Sequence, residues 1–317
     1  MENNNSFTVK FWGVRGSYPT PGAQTIAYGG NTTCVEVRAG KYTIILDAGT
    51  GIIPLGREIA RRSRGEMTSP LPILILFSHL HHDHTQGFPF FGPAYNPATR
   101  LHMYGHGTSE QTLEDVLAQN QTPPAFPLNL RDMNATLDIR EISPSDSVVF
   151  DGHGIRLSKN GATNDPDAVV IRLMKSYAHP GGVFIYRITW HGHSLVYATD
   201  VEGYVGGDCR LAAFAKGADL LIHDGQYSEE HYCGLNGWAS TQGFGHSTPQ
   251  MACQTASAAG VKRLALTHHD PNYDDEAVRN LEEQAQSLFP GAFAAREGLE
   301  IELMMEEKVI SYQAMRN

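Results

Sequence analysis

Residues 73–87 read ILILFSHLHHDHTQG, an apolar run that ends in four histidines and an aspartate. A short apolar run bounded by turn residues reads as a buried strand. His79 and His81 are two apart, so in an extended loop they point the same way and can bind one cation. Asp83 and His84 follow and can serve a second. Imidazole and carboxylate donors together suit Zn, Mn or Fe better than Ca or Mg, whose sites are built of oxygen. A surface loop with histidines is the plain alternative, and the density of this run argues against it. His82 is the spacer of the motif and is expected to point away from the metals, buried on a neighbouring strand.

Two more apolar runs end in the same way. SLVYATD closes on Asp200, and RLALTHHD closes on His268 and His269. A lone aspartate after a strand is usually a turn residue or helix cap. Three strands that each deliver a donor at the C-terminal end instead require a site on one edge of a sheet.

The rest of the chain fits that demand. KFWGVRGS, TCVEVRAG, YTIILDAG and LPILILFSH read as successive strands, and SEQTLEDVLAQNQ, residues 109–121, as a helix begun by Ser109. TPPAFPLNL is a Pro-rich loop. DIREI, SVVF, IRLSKNG, VFIYRITWHG and HSLVYATD resume the strand pattern with HG or NG turns. GDCRLAAFAKGAD, TPQMACQTASAAG and DDEAVRNLEEQAQSLFP look helical, separated by the strands DLLIHD and RLALTHHD. With no repeat or linker, residues 1–317 are expected to form a single α+β domain, with residues 93–135 as a candidate lid or homodimer contact. GVRGS and YGGNTTC lack the spacing of a nucleotide-binding P-loop and read as hairpin turns, with Arg15, Ser17, Asn31 and Thr32 at a pocket rim.

Composition narrows the function. The 24 basic and 34 acidic residues give a net charge of −10, which lacks the electropositive field of a general nucleic-acid binder. A small anion remains a fit, because a bound dication inverts the local potential. No run of about 18 apolar residues or leader pattern occurs, so no membrane association and a cytoplasmic location are expected. Cys34, Cys209, Cys233 and Cys253 show no Cys-x-x-Cys spacing and read as free, mostly buried thiols.

The His79-x-His81-x-Asp83-His84 run, AHPGGVFIYRI, YATD and LTHHDP, with FWGVRGSYPTPG and YGGNTTC before them, resemble the metallo-β-lactamase fold hydrolases. The similarity is to the branch of tRNase Z, PhnP-type phosphodiesterases and cyclic-nucleotide phosphodiesterases. It implies a four-layer αββα sandwich with two divalent metal ions at its edge. Carried onto this chain, it implies that His79, His81 and His179 hold one metal, that Asp83, His84 and His268 hold the other, and that Asp200 bridges them. Ile185 stands where that branch usually has glycine. His269 is then structural, or supports His268. The same resemblance gives the histidine of GHST, His246, a role in protonating the leaving oxygen or binding phosphate, with Asp224 orienting it. Physically, a dinuclear centre can supply hydroxide but not the departing alkoxide's proton. A helix cap by Ser247 or Thr248 is the plain alternative for that motif. Asp83 counts as both ligand and catalytic group, and His223 stays open.

The implied activity is hydrolysis of a small anionic phosphodiester such as a 3′,5′-cyclic nucleotide, with extended nucleic acid disfavoured as a substrate. The alternatives are a tRNase Z-type RNA endonuclease and a lactonase or β-lactamase on the same metals. A flavin-linked oxygen-reducing protein lacks its second domain here, and a non-catalytic metal-binding module does not explain intact ligands.

Overall fold

The computed structural model describes residues 6–62, 71–124, 126–204 and 207–304. The strands β1 (Phe7–Gly13), β2 (Cys34–Ala39), β3 (Tyr42–Leu46), β4 (Leu71–Leu76), β5 (Thr99–Gly105) and β6 (Thr136–Glu141) lie side by side in that order. A second sheet is built from β7 (Ser147–Asp151), β8 (Gly154–Ser158), β9 (Val169–Ser176), β10 (Val183–Trp190), β11 (His193–Ala198), β12 (Leu220–Asp224), β13 (Arg263–Thr267) and β14 (Ala292–Ala294). The chain then returns to the first sheet, where β15 (Glu300–Glu302) pairs antiparallel with β1.

Side-chain alternation explains why these strands face each other. In β4, Leu74 and Leu76 point into the layer between the sheets, while Ile73 and Ile75 point outward. In β12, Leu220 and Ile222 face inward and Leu221 outward. Strands covered on both faces read as continuous apolar runs, as these do. The first sheet's outer face is covered by α1 (Ile52–Arg62) and α3 (Leu113–Gln119), and the second's by α4 (Cys209–Ala215) and α6 (Pro249–Ala259). Between α1 and α3 lies the short α2 (His82–Thr85). Between α4 and α6 lies α5 (Glu229–Cys233), and α7 (Asp275–Leu288) follows α6. The result is the four-layer αββα sandwich.

Both sheets contain a parallel block, β3 to β6 in one and β11 to β14 in the other. Parallel strands bring their C-terminal ends to one edge. Hydrogen bonds clasp the two sheets there: Tyr186 Oη donates to the Phe77 carbonyl at 2.6 Å, and the Phe184 amide donates to the Ser78 carbonyl at 2.8 Å.

Several expectations need correction. The helix expected from Ser109 begins at Leu113, because Thr112 caps it and forms a reciprocal capping box with Asp115. Residues 14–33 do not make tight hairpin turns but a long connection between β1 and β2. Arg15 is not at a rim. It is fully buried and donates to the carbonyls of Gly29, Asp270 and Tyr273. Thr32 is also buried, and Asn31 is bound to Glu297. Of the thiols, Cys34 and Cys253 are buried, but Cys209 and Cys233 are exposed.

Candidate metal centre

The HxHxDH run leaves β4 through Phe77 and Ser78, keeps His79 and His81 outside helix, with His81 extended at φ −61° and ψ 155°, and enters a helix only at His82. His81 occupies the position before α2, and Asp83 and His84 lie within it. His82 is exposed on that turn rather than buried on a strand, because the helical turn rotates it away from the centre. From the second sheet come His179, in the turn between β9 and β10, Asp200 after β11, Asp224 at the end of β12, and His268 after β13. Asp200 and His268 hold φ of 55° and 63°, left-handed values that non-glycine residues adopt at a cost.

These side chains converge in two groups. His79, His81 and His179 can each offer a donor atom with all of these within 4.8 Å of one another, and so can Asp83, His84 and His268. Asp200 spans them. Its Oδ1 lies 3.8 Å from His79 Nε2, 3.9 Å from His179 Nε2 and 3.3 Å from His268 Nε2, and its Oδ2 lies 3.3 Å from His84 Nε2.

The ring nitrogens turned away from the centre are anchored. His84 Nδ1 meets Asp47 Oδ2 at 2.8 Å, His268 Nδ1 meets Gln226 Oε1 at 2.9 Å, His179 Nδ1 meets the Gly245 carbonyl at 3.1 Å, and His79 Nδ1 meets Ser78 Oγ at 3.1 Å. Such contacts fix tautomer and ring orientation in metal-binding histidines. In the first group the inward nitrogens have no comparable partners, whereas in the second His268 Nε2 meets Asp83 Oδ2 at 3.1 Å. His79 Nε2 is buried without a hydrogen bond, and His179 Nε2 sits 3.0 Å from His81 Nδ1, one ring nitrogen against another. An orphaned acceptor and facing imidazoles among carboxylates fit divalent cations.

The electrostatics agree. Burial pushes the His79 imidazole well below its usual range and His179 down to about 4, which keeps both neutral and able to ligate. Burial acts the same way on His268, but Asp200 and Asp83 outweigh it and push the group up to about 9. His84 is likewise held well above the ordinary range, against its burial, by Asp83, Asp200 and Asp47. Protons on His84 and His268 thus stand where cations would neutralise the carboxylates.

A fourth group, Asp200, Asp224, His246 and His268, also brings donor atoms within 4.8 Å. Here His246 Nδ1 is already bound to Asp224 Oδ2 at 2.7 Å, and Asp224 Oδ1 accepts from the amides of Gln226 and Ser247, both at 3.1 Å. One carboxylate oxygen holds the imidazole while the other is tied to backbone amides, an arrangement suited to proton transfer. The helix-cap alternative is also partly present, since Thr248 Oγ1 caps α6.

His223 and His269 lie outside these groups. His223 Nδ1 donates to the Asp224 carbonyl at 2.7 Å, and His269 Nε2 donates to the Ala295 carbonyl at 2.9 Å. Two supporting residues were not singled out from sequence. Asp47 takes hydrogen bonds from the Ser78 amide and hydroxyl, His84 and Tyr197, and Gln226 orients His268. Asp47 carries the same signature as Asp200, an apolar strand ending in aspartate. Gln226 carries none. From the Gly-rich start, the Ser17 amide donates to Asp83 Oδ2 at 2.8 Å.

The candidate lid runs through β5 and α3. Its residues His106, Thr108 and Gln111 line a cavity of about 550 Å³ together with His79 and His81. No helix among the described residues is long and apolar enough to cross a membrane.

Comparisons with known proteins agree with this fold. The family model described as "Beta-lactamase superfamily domain" matches residues 42–269. A ribonuclease Z of Gemmatimonas aurantiaca is 43% identical over 102 residues, a match covering 32% of this chain and only 30% of that protein. A ribonuclease Z of Synechococcus sp. (strain CC9311) is 26% identical over 273 residues, 72% of this chain and 81% of that protein. The metallo-β-lactamase fold protein YhfI from Bacillus subtilis superposes with a TM-score of 0.65 at 21% identity, covering 94% of this chain and 99% of that one.

Proposed function

Because this chain belongs to the β-lactamase superfamily and is a metal-dependent hydrolase, we propose that it cleaves small phosphodiesters, with 3′,5′-cyclic nucleotides as the first candidates. The observation that carries the proposal is the pairing of two donor groups joined by Asp200 with a carboxylate-held imidazole, His246, at their border. His79, His81 and His179 would hold one ion and Asp83, His84 and His268 the other. When bound, two such ions polarise a phosphoryl oxygen and make water acidic enough to be a nucleophile near neutral pH.

The chain's own residues supply the rest. His246 lies against His268, with ring centroids 4.9 Å apart, so with Nδ1 held by Asp224 its Nε2 would be the nitrogen offered to a phosphodiester bound at the centre. It donates a proton to the departing alkoxide, and Asp224 stabilises and orients the imidazolium. Asp83, fixed by the Ser17 amide, keeps the second donor group in place while charge develops.

Cleavage of RNA is the second reading, favoured by the names of the relatives. Against it stands the net charge of −10, since binding of long RNA rests on many phosphate contacts. The Zn- or Mn-loaded protein should hydrolyse cyclic nucleotides and bis(p-nitrophenyl) phosphate, but not a β-lactam, a lactone or a precursor tRNA. His246→Ala should keep its full metal content and lose about 10²–10⁴-fold in kcat on the cyclic nucleotide. It should lose less on the p-nitrophenyl ester, whose leaving group needs no proton. Cleavage of only the tRNA, or loss of an ion from His246→Ala, refutes the assignment.

A further inference from the structure

Beside His179 the surface opens into a groove of about 720 Å³, within the range of small-molecule sites. Its walls carry Tyr177, Tyr204, Tyr232 and Glu202. Tyr177 is 76% and Tyr204 56% exposed, a large aromatic area to leave in water next to a candidate catalytic centre. Tyr177 is also held in place. The Lys175 ammonium lies 5.5 Å from its ring centroid, and Gly182, at φ 80°, leaves room for both, since a Cβ there would come within 3.1 Å of the Tyr177 ring.

Glu202 decides what the groove accepts. Its Oε1 takes hydrogen bonds from Tyr232 Oη at 2.6 Å and the Gly243 amide at 2.8 Å, and its Oε2 takes one from the Gly245 amide at 3.0 Å. A carboxylate fixed in this way repels a phosphate, while Oε2 retains capacity to accept from an N–H group. A flat, uncharged, N–H-bearing group satisfies both the rings and the carboxylate. His179, on the groove wall, belongs to the first donor group, so the groove adjoins the centre and lies within reach of the nucleoside of a phosphate held there.

We infer that this groove is a nucleobase subsite, in which the base stacks on Tyr177 and Tyr204 with an exocyclic or ring N–H directed to Glu202. The inference deepens the phosphodiesterase reading by naming the substrate class as nucleotide diesters, and it rests on that reading for where the phosphate lies. Calorimetric titration of the metal-loaded protein with adenosine 5′-monophosphate and with ribose 5-phosphate tests it without turnover. Stacking is worth about 1–3 kcal/mol per base, so the nucleotide should bind roughly 5–150-fold more tightly than the sugar phosphate. Tyr177→Ala should remove most of that difference, and Tyr177→Phe should keep it. Equal binding of the two ligands by the wild type, or a preference that survives in the Tyr177→Ala, Tyr204→Ala double variant, overturns the inference. The two readings fail separately. Base preference without diester cleavage removes the enzymatic reading and leaves the subsite, and cleavage without base preference does the reverse.

Discussion

Asp47→Asn tests how the second donor group is held. Asp47 is fully buried, with φ 61°, a conformation that asparagine also tolerates, so the substitution leaves the backbone unstrained. Its Oδ1 accepts from the Ser78 amide at 2.7 Å, and its Oδ2 accepts from Ser78 Oγ, Tyr197 Oη and His84 Nδ1 at 2.7, 2.7 and 2.8 Å. In the variant an NH₂ replaces one oxygen. If Oδ1 keeps the Ser78 amide, the new NH₂ faces the His84 Nδ1–H, two donors in opposition. The hydroxyls can rotate and accept, but His84 can only move its proton to Nε2, the nitrogen that faces Asp83 and Asp200 at 3.3 Å. That proton blocks the lone pair a metal needs. Loss of such a supporting contact typically costs about 10–100-fold in metal affinity, or about 1.4–2.8 kcal/mol. Competition against a chromophoric chelator resolves the two binding constants. The constant belonging to Asp83, His84 and His268 should fall by that factor, and the one belonging to His79, His81 and His179 should change far less. Two unchanged constants, or two that fall equally, refute the orienting role.

Other perturbations reach the same centre by different routes. A methyl group at Gly16 would occupy the place of the His268 imidazole, so Gly16→Ala should reduce bound metal from two ions toward one while circular dichroism stays native; retention of both ions contradicts the packing. In metal-free protein the histidines set opposing pH dependences. His268, raised from about 6.5 to about 9, contributes stability that is full below about pH 6.5 and lost as pH rises through about 9, whereas His179, lowered to about 4, contributes stability lost as pH falls from about 6.5 toward 4. The melting temperature in EDTA should therefore peak near pH 6.5, and Zn should flatten its alkaline fall; a monotonic rise to pH 9 contradicts the assignment of proton-holding histidines.

The centre was legible from sequence where donors are dense or recur. Five titratable groups in six residues at His79–His84 have few other uses, and repetition at Asp200 and His268 located the sheet edge. Asp47 went unnoticed because one aspartate after a strand looks like any turn residue, and its role depends on Tyr197, 150 positions away. Arg15 was misplaced for a similar reason. A guanidinium in a Gly-rich loop reads as exposed, and it is buried by the Gly29 carbonyl of its own loop together with the carbonyls of Asp270 and Tyr273, which return beside it from far along the chain. Helix α1 escaped detection because Pro54 and Gly56 interrupt its pattern. Proline is tolerated in a first turn, and Gly56 is kept small by Phe91 and Pro93, 3.0 and 3.1 Å from where its Cβ would be. Tertiary contact overrode local propensity there.

Each donor group draws on both sheets: His79 and His81 need His179, and Asp83 and His84 need His268. During synthesis, a ribosome that has released only β1 to β6 has delivered three histidines and an aspartate of the two donor groups but no complete group. The second pocket waits for residue 268, near the end of the described chain. Metal loading of the proposed centre would thus be a late event in the life of the polypeptide, and a chain truncated anywhere before β13 would lack His268 from the second donor group.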